Sequence, residues 1–360
     1  MSGLLDHLRR RITHEGPLTV AQYMETCLAH PEHGYYITRD PLGAGGDFTT
    51  APEISQMFGE LIGLWAAQTW MSAGASSPLT WVELGPGRGT LSADALRAMA
   101  RVPGITDSLS VHLVETSPML RNAQAAALEP WKPGWHDTIS TTPDGPAIVI
   151  ANEFFDALPV RQFQRSGDGW CERTVEMTED GGLAFGLTPR LGIDPQLPDG
   201  LGWVRAGDIV EISLPSRAIV QTLADRLVSH GGAALIIDYG HDRSAAGDTL
   251  QAVKDHAFHS VLDAPGTADL TAHVDFAELA AVAGAAGALV HGPVEQGTFL
   301  KALGIEVRAQ QLMASASAEQ AADIESAVER LTATEAMGRL FKVMAVTAPG
   351  MPVPAGFEGS

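Results

Sequence analysis

The stretch Trp81-Val82-Glu83-Leu84-Gly85-Pro86-Gly87-Arg88-Gly89-Thr90 constrains this chain more than any other. An apolar run closes on an acidic residue, and glycines then occupy every second position. Leu91-Ser92-Ala93-Asp94-Ala95-Leu96 continues at helical spacing. Strand, glycine turn and helix form the plan of a nucleotide-binding βα unit, in which main chain lies against the ligand. Glycine suits such a turn because, lacking Cβ, it takes positive φ and leaves the backbone open to close approach.

The spacing narrows the ligand. A dinucleotide fingerprint reads G-x-G-x-x-G and sets its pyrophosphate on a helix N-terminus. Here the spacing is G-x-G-x-G, with Glu83 inside the strand end. A carboxylate there suits a cation better than a phosphate, and S-adenosylmethionine carries a sulfonium and an ammonium group. Glu83, Gly85, Pro86, Gly87, Gly89 and Thr90 are therefore the expected contacts of that cofactor. The alternative for the glycines alone is an ordinary tight loop.

Charge narrows the partner. Lys and Arg number 23 against 43 Asp and Glu, a net charge of -20. Such a surface repels nucleic acid phosphates and favours a basic protein partner. The two cysteines, Cys27 and Cys171, lie far apart, with no C-x-x-C pair and no histidines at metal-ligand spacing. Neither a disulfide framework nor a metal is expected, and a cytoplasmic setting is. Arg9-Arg10-Arg11 has no apolar segment after it, and Leu279 to Val290 is too short to span a bilayer.

Residues 1–75 read as an N-terminal helical segment followed by a loop over Gly43–Glu53, either a lid in which Phe48 and Thr49 face the cofactor or a surface turn leading into the next helix. Residues 76–348 read as one α/β domain with excursions at about 160–212 and 241–274, and 349–360 as a flexible tail. Glu115 ends the second strand, where an acid accepts from ribose hydroxyls; Ser117 caps the next helix. Asp137 or Trp135, near a third strand end, is expected to meet the adenine. Asn152 and Glu153 end the fourth strand, at the crevice where open α/β sheets bind ligands. Gly167-Asp168-Gly169 and Asp180-Gly181-Gly182 mark hairpins in the first excursion.

Four segments together resemble the MidA-like family of S-adenosylmethionine-dependent methyltransferases. They are Glu83–Leu91, Asn152-Glu153-Phe154-Phe155-Asp156-Ala157-Leu158-Pro159-Val160, Gly46–Thr50 and Asp269–Phe276. The likeness runs from about Pro17 to Val346. It implies a Rossmann-like class I methyltransferase fold with a seven-stranded, mostly parallel sheet, an N-terminal helical segment and a β-rich insertion. It also implies relation to a mitochondrial respiratory complex I assembly factor that methylates protein arginine, so a eukaryotic member would act in the matrix. S-adenosylmethionine is the implied cofactor, S-adenosylhomocysteine its product, and a complex I subunit the implied partner. Glu153 and Asp156, three apart, are expected to orient a guanidinium, with His273 as base or substrate contact. A methyltransferase for another side chain or a small molecule, or a non-catalytic assembly chaperone, remains open at this point.

Overall fold

The structure is a computed structural model that describes residues 3–38, 49–75, 78–107, 109–167, 169–201, 204–254 and 256–359. Its chain divides into two compact units. One holds Thr49–Phe154, Ile219–Asp242 and Leu279–Ser360; the other holds Met1–Phe48, Phe155–Ala218 and Arg243–Glu278.

The first unit carries the central sheet, traced by β1 (Leu79–Leu84), β2 (Leu109–Val114), β3 (Gly134–His136), β4 (Ala147–Asn152), β5 (Gly232–His241), β6 (Leu289–Glu295) and β7 (Phe341–Thr347). Their order is β3-β2-β1-β4-β5-β7-β6. β1 pairs in parallel with β2 and β4, and β4 with β5, while β7 runs antiparallel between β5 and β6. This is the Rossmann-like class I arrangement, and the strand order reverses between β1 and β4. Ligands of open α/β sheets bind at that reversal, outside the carboxyl ends of the strands. β1 and β4 are buried at every position, the signature of strands covered on both faces.

Helices close the faces. Gln56–Ser72 lies on Thr90–Met99 so tightly that a Cβ on Gly63 would stand 2.3 Å from the carbonyl oxygen of Ala95, and one on Gly59 2.7 Å from Cβ of Asp94. Glu60, between those glycines, accepts from Arg308 at 2.7 Å and from Arg97 at 3.3 Å, tying three helices together.

The second unit has its own core. Leu4, Leu8 and Ile12 of helix Gly3–Glu15 pack with Val160, Val175, Ala252 and Leu270. Helix Val20–Ala29 starts on a capping box between Thr19 and Gln22. Both expected hairpins form, pairing Ser166 with Gly169 and Met177 with Leu183. The N-terminal segment and both excursions therefore share one core, where the sequence suggested appendages to a single domain. The second excursion is ordered too, with Gln251–Lys254, Ala257–His259 and Asp269–Thr271 in a small antiparallel sheet. Strands of three or four residues leave too short a pattern to read.

The tail corrects a second expectation. Phe357 is 1% exposed and packs on Phe299 at 5.4 Å between ring centroids. Prolines and glycines announced a flexible end, but one aromatic side chain finds a slot in the core. Phe357→Ala should cost about 3–5 kcal/mol, the range for a buried aromatic truncated to alanine. Guanidinium denaturation checks this, and an unchanged midpoint would return residues 349–360 to a loose tail.

Candidate active site

The glycine turn is built as its spacing demands. Gly85, Gly87 and Gly89 have φ of 60°, 55° and 85°, a region closed to β-branched side chains at ordinary cost. A Cβ on Gly85 would also stand 2.7 Å from Cδ2 of Phe154. The turn is pinned at both ends: Gly85 N donates to Val114 O at 3.0 Å, and Gly89 N to Pro86 O at 2.8 Å. Thr90, opening the helix, donates from its hydroxyl to Glu53 Oε1 at 2.6 Å.

Glu83 is seated differently from the expectation. It is 3% exposed, and the Ser92 hydroxyl donates to its carboxylate. Trp81 Nε1 donates to the same hydroxyl at 2.8 Å. Trp81 and Glu83, two apart on β1, point to one sheet face, which Ser92 covers. The Glu83 carboxylate thus braces the turn from beneath. Burial pushes its pKa from 4.5 up to about 7, with the Ser92 bonds acting against the rise.

Glu115 is buried at the end of β2, where Oε1 accepts from Ser117 N at 2.7 Å and Oε2 from Gln124 Nε2 at 3.3 Å. Burial raises its pKa, opposed by those bonds. Each carboxylate oxygen has capacity for a further donor such as a ribose hydroxyl. Ser117 caps helix Pro118–Ala127. Asp137 stands at the surface, its side chain 79% exposed, paired with Arg121 at 2.6 Å. Trp135 directs its indole N–H into Gln124 Oε1 at 2.9 Å.

At the end of β4, Asn152 is 8% exposed, and its Oδ1 has no hydrogen-bond partner among the described residues. A buried acceptor left over in this way fits a ligand carrying donor hydrogens, as the ammonium or the amine of S-adenosylmethionine does. Glu153 follows with φ of 50°, a left-handed backbone on a non-glycine residue; strain of this kind clusters at functional sites. Its Oε1 accepts from Ala51 N at 3.0 Å and from Asn152 Nδ2 at 3.1 Å, fixing the start of the short helix Ala51–Ile54. Thr49, just before that helix, is partly buried. Phe48 and lid positions 43–48 lie outside the described residues.

The three residues expected to meet the acceptor do not share a unit. Glu153 belongs with the sheet, Asp156 and His273 with the other core. Asp156 is buried there, its carbonyl accepting from Ala272 N at 2.9 Å. His273 N donates to Thr249 Oγ1 at 2.8 Å. In the same unit, Tyr36 donates to both carboxylate oxygens of the buried Asp269 at 2.9 Å. Sequence reasoning missed Ser92, Glu53 and Gln124. Only Glu53 left a trace, as the acid closing the expected loop. Among the described residues, no group of three or more His, Cys, Asp or Glu is placed to hold a metal ion, and no helix is long and apolar enough to cross a membrane.

Because Glu83 holds its proton more tightly folded than unfolded, it lowers stability as pH rises from about 4.5 to about 7. Glu83→Gln should flatten the stability–pH curve across that window, with a difference of up to about 3 kcal/mol at its upper end. Urea midpoints of both proteins across the window check this; equal slopes would place the titration elsewhere.

The family model for S-adenosyl-L-methionine-dependent methyltransferases matches residues 61–294. The chain is 41% identical over 370 residues to the protein arginine methyltransferase NDUFAF7, mitochondrial, of Danio rerio, covering 95% of this chain and 86% of that protein. The Homo sapiens protein of the same name is 40% identical over 349 residues, covering 86% of this chain and 75% of that protein. A solved structure is similar as well: a COG1565 superfamily member from Burkholderia thailandensis bound to S-adenosyl-homocysteine. It superposes with a TM-score of 0.85 at 28% identity, over 99% of this chain and 94% of that one. With a glycine turn, an acid at the end of β2 and a family match across most of its length, the chain belongs to the S-adenosyl-L-methionine-dependent methyltransferases.

Proposed function

We propose that the chain is a protein arginine N-methyltransferase acting on a basic protein, with a respiratory complex I subunit as the substrate during assembly. One observation carries this: 41% identity over 95% of the chain to a protein named for arginine methylation. The net charge of -20 supports a cationic partner by long-range attraction. The place of action follows from that partner: the cytoplasm of a bacterial cell, or the mitochondrial matrix of a eukaryotic one.

The cofactor, when bound, supplies a methyl group on a sulfonium. The contribution of the chain is binding, orientation and charge. Backbone of Gly85, Pro86, Gly87 and Gly89 is proposed to lie along its methionine part, with Thr90 and Ser117 at the helix starts. Glu115 takes the ribose hydroxyls, Asp137 lies toward the adenine, and Asn152 Oδ1 accepts from a donor nitrogen. Glu83 acts from below by holding the turn, and Thr49 leads into the segment that Glu153 fixes.

Guanidinium is always charged and a weak nucleophile, so it must be held by carboxylates that draw its charge away from the reacting nitrogen. Glu153, strained and partly exposed at the end of β4, is proposed for that pairing. Asp156 is proposed as a second carboxylate, and His273 as acceptor of the proton that the guanidinium gives up.

Two outcomes are expected. Gly87→Val, with a β-branched residue at φ of 55°, should abolish S-adenosylmethionine binding in calorimetry while the fold persists in circular dichroism; unchanged affinity would move the methionine part off this turn. Glu153→Gln should lower turnover at least about tenfold, ~1.4 kcal/mol in the barrier, at nearly unchanged cofactor affinity. Mass spectrometry of a methylated basic partner, with Asp156→Asn and His273→Ala as separate single variants, checks each role. Arginine-methylation proteomes that match with and without the protein would replace arginine by another acceptor, or the enzyme by a cofactor-binding chaperone.

A further inference from the structure

Gln124 sits in the middle of helix Pro118–Ala127, yet it is 0% exposed. Burying a primary amide is costly unless its hydrogen bonds are met. Here they are met, each by a different part of the candidate site. Trp135 Nε1 donates to Oε1 at 2.9 Å. An indole nitrogen only donates, so this contact fixes which end of the amide is oxygen. The nitrogen must then face the other way, and it donates to Gly87 O at 2.7 Å and to Glu115 Oε2 at 3.3 Å. Both amide hydrogens are used, one on the glycine turn and one on the acid at the end of β2.

The helix backbone is equally close. A Cβ on Gly89 would lie 3.5 Å from Cα and from Cγ of Gln124. The second oxygen of Glu115 is held by Ser117 N at 2.7 Å, from the start of the same helix. Rotation of the Glu115 carboxylate is therefore blocked from both sides, by groups of one helix.

We propose that Gln124 is a positioning residue, which sets the glycine turn and the Glu115 carboxylate at the fixed separation needed by the methionine and ribose ends of one bound S-adenosylmethionine. This rests on the assignment of Glu115 to the ribose. The amide is the only side-chain type that does this work: it donates twice on one side and accepts on the other, with no net charge to oppose Glu115. A leucine of similar volume leaves Gly87 O and Glu115 Oε2 without donors, and the Trp135 N–H without an acceptor. A glutamate keeps the shape, yet sets a second carboxylate against Glu115. Two carboxylates in contact cannot both ionise at ordinary cost, so they share one proton. The shared proton restores one donor, and it is retained more fully as pH falls.

Calorimetry with S-adenosylmethionine on the full chain tests this, with circular dichroism to confirm each fold. Gln124→Leu should weaken binding at least about tenfold. Turnover at saturating cofactor should fall far less, because Gln124 touches no reacting atom. Gln124→Glu should bind weakly at neutral pH and regain affinity as pH is lowered, a dependence absent from both the native protein and Gln124→Leu. A merely structural glutamine would not produce that profile. Native affinity in Gln124→Leu, or a pH profile of Gln124→Glu parallel to the native one, overturns the proposal. Glu115→Ala separates the two levels. If it loses affinity while Gln124→Leu does not, only the positioning role falls; if it binds normally, the ribose assignment falls and the positioning role with it.

Discussion

The sign of φ at three alternate positions is the constraint on which the strand–turn–helix at the head of the sheet depends. Gly85, Gly87 and Gly89 all take left-handed backbone, so the chain turns from β1 into helix Thr90–Met99 with no Cβ at any of these three positions. Room at the main chain is what a ligand needs, but it removes the contacts that would hold a turn in place. The surrounding residues supply them. Phe154 closes on Gly85, Gln124 closes on Gly87 and Gly89, and the Trp81–Ser92–Glu83 chain stiffens the floor.

Acidic residues around this turn do unlike work because their surroundings differ. Glu83 and Glu115 are both buried at strand ends, and burial raises both pKa values. Glu83 faces a hydroxyl inside the layer between sheet and helix, where its bonds serve the structure. Glu115 has a backbone N–H and an amide on its two oxygens, an arrangement that orders a carboxylate and leaves capacity for more donors. Glu153 differs again, with strained backbone and a carboxylate that anchors the main chain of Ala51. Position along a strand says where an acid lies; only its partners say what it does.

The second unit shows how a core can be assembled from distant sequence. Leu4 and Leu8 from the first helix, Val160 and Val175 from the first excursion, and Ala252 and Leu270 from the second bury one another. Polar groups are satisfied with equal economy. Gln162 donates to Glu211 at 2.7 Å and to Asp248 at 2.8 Å, while Arg173 pairs with Asp248 at 2.6 Å and lies 3.7 Å over the Phe185 ring. Thr249 joins this network to the backbone of His273.

What the sequence determined by itself was local and periodic: the strand–turn–helix at Glu83–Thr90, the acids at the ends of β2 and β4, and the two hairpins. These follow from spacing, because glycine positions, side-chain alternation and turn residues act within a few residues of one another. Tertiary structure decided the rest. Glu83 is a brace because Ser92, nine residues on, folds over it; Gln124 matters because Gly87, Glu115 and Trp135 converge on one amide. Phe357 is core, not tail, because Phe299 leaves a place for it. Asp156 and Glu153, three apart in the chain, fall in different units because packing with remote segments, and not proximity in sequence, assigns a residue to its core. Burial and hydrogen-bond partners are properties of contacts between distant positions, and no local pattern encodes them.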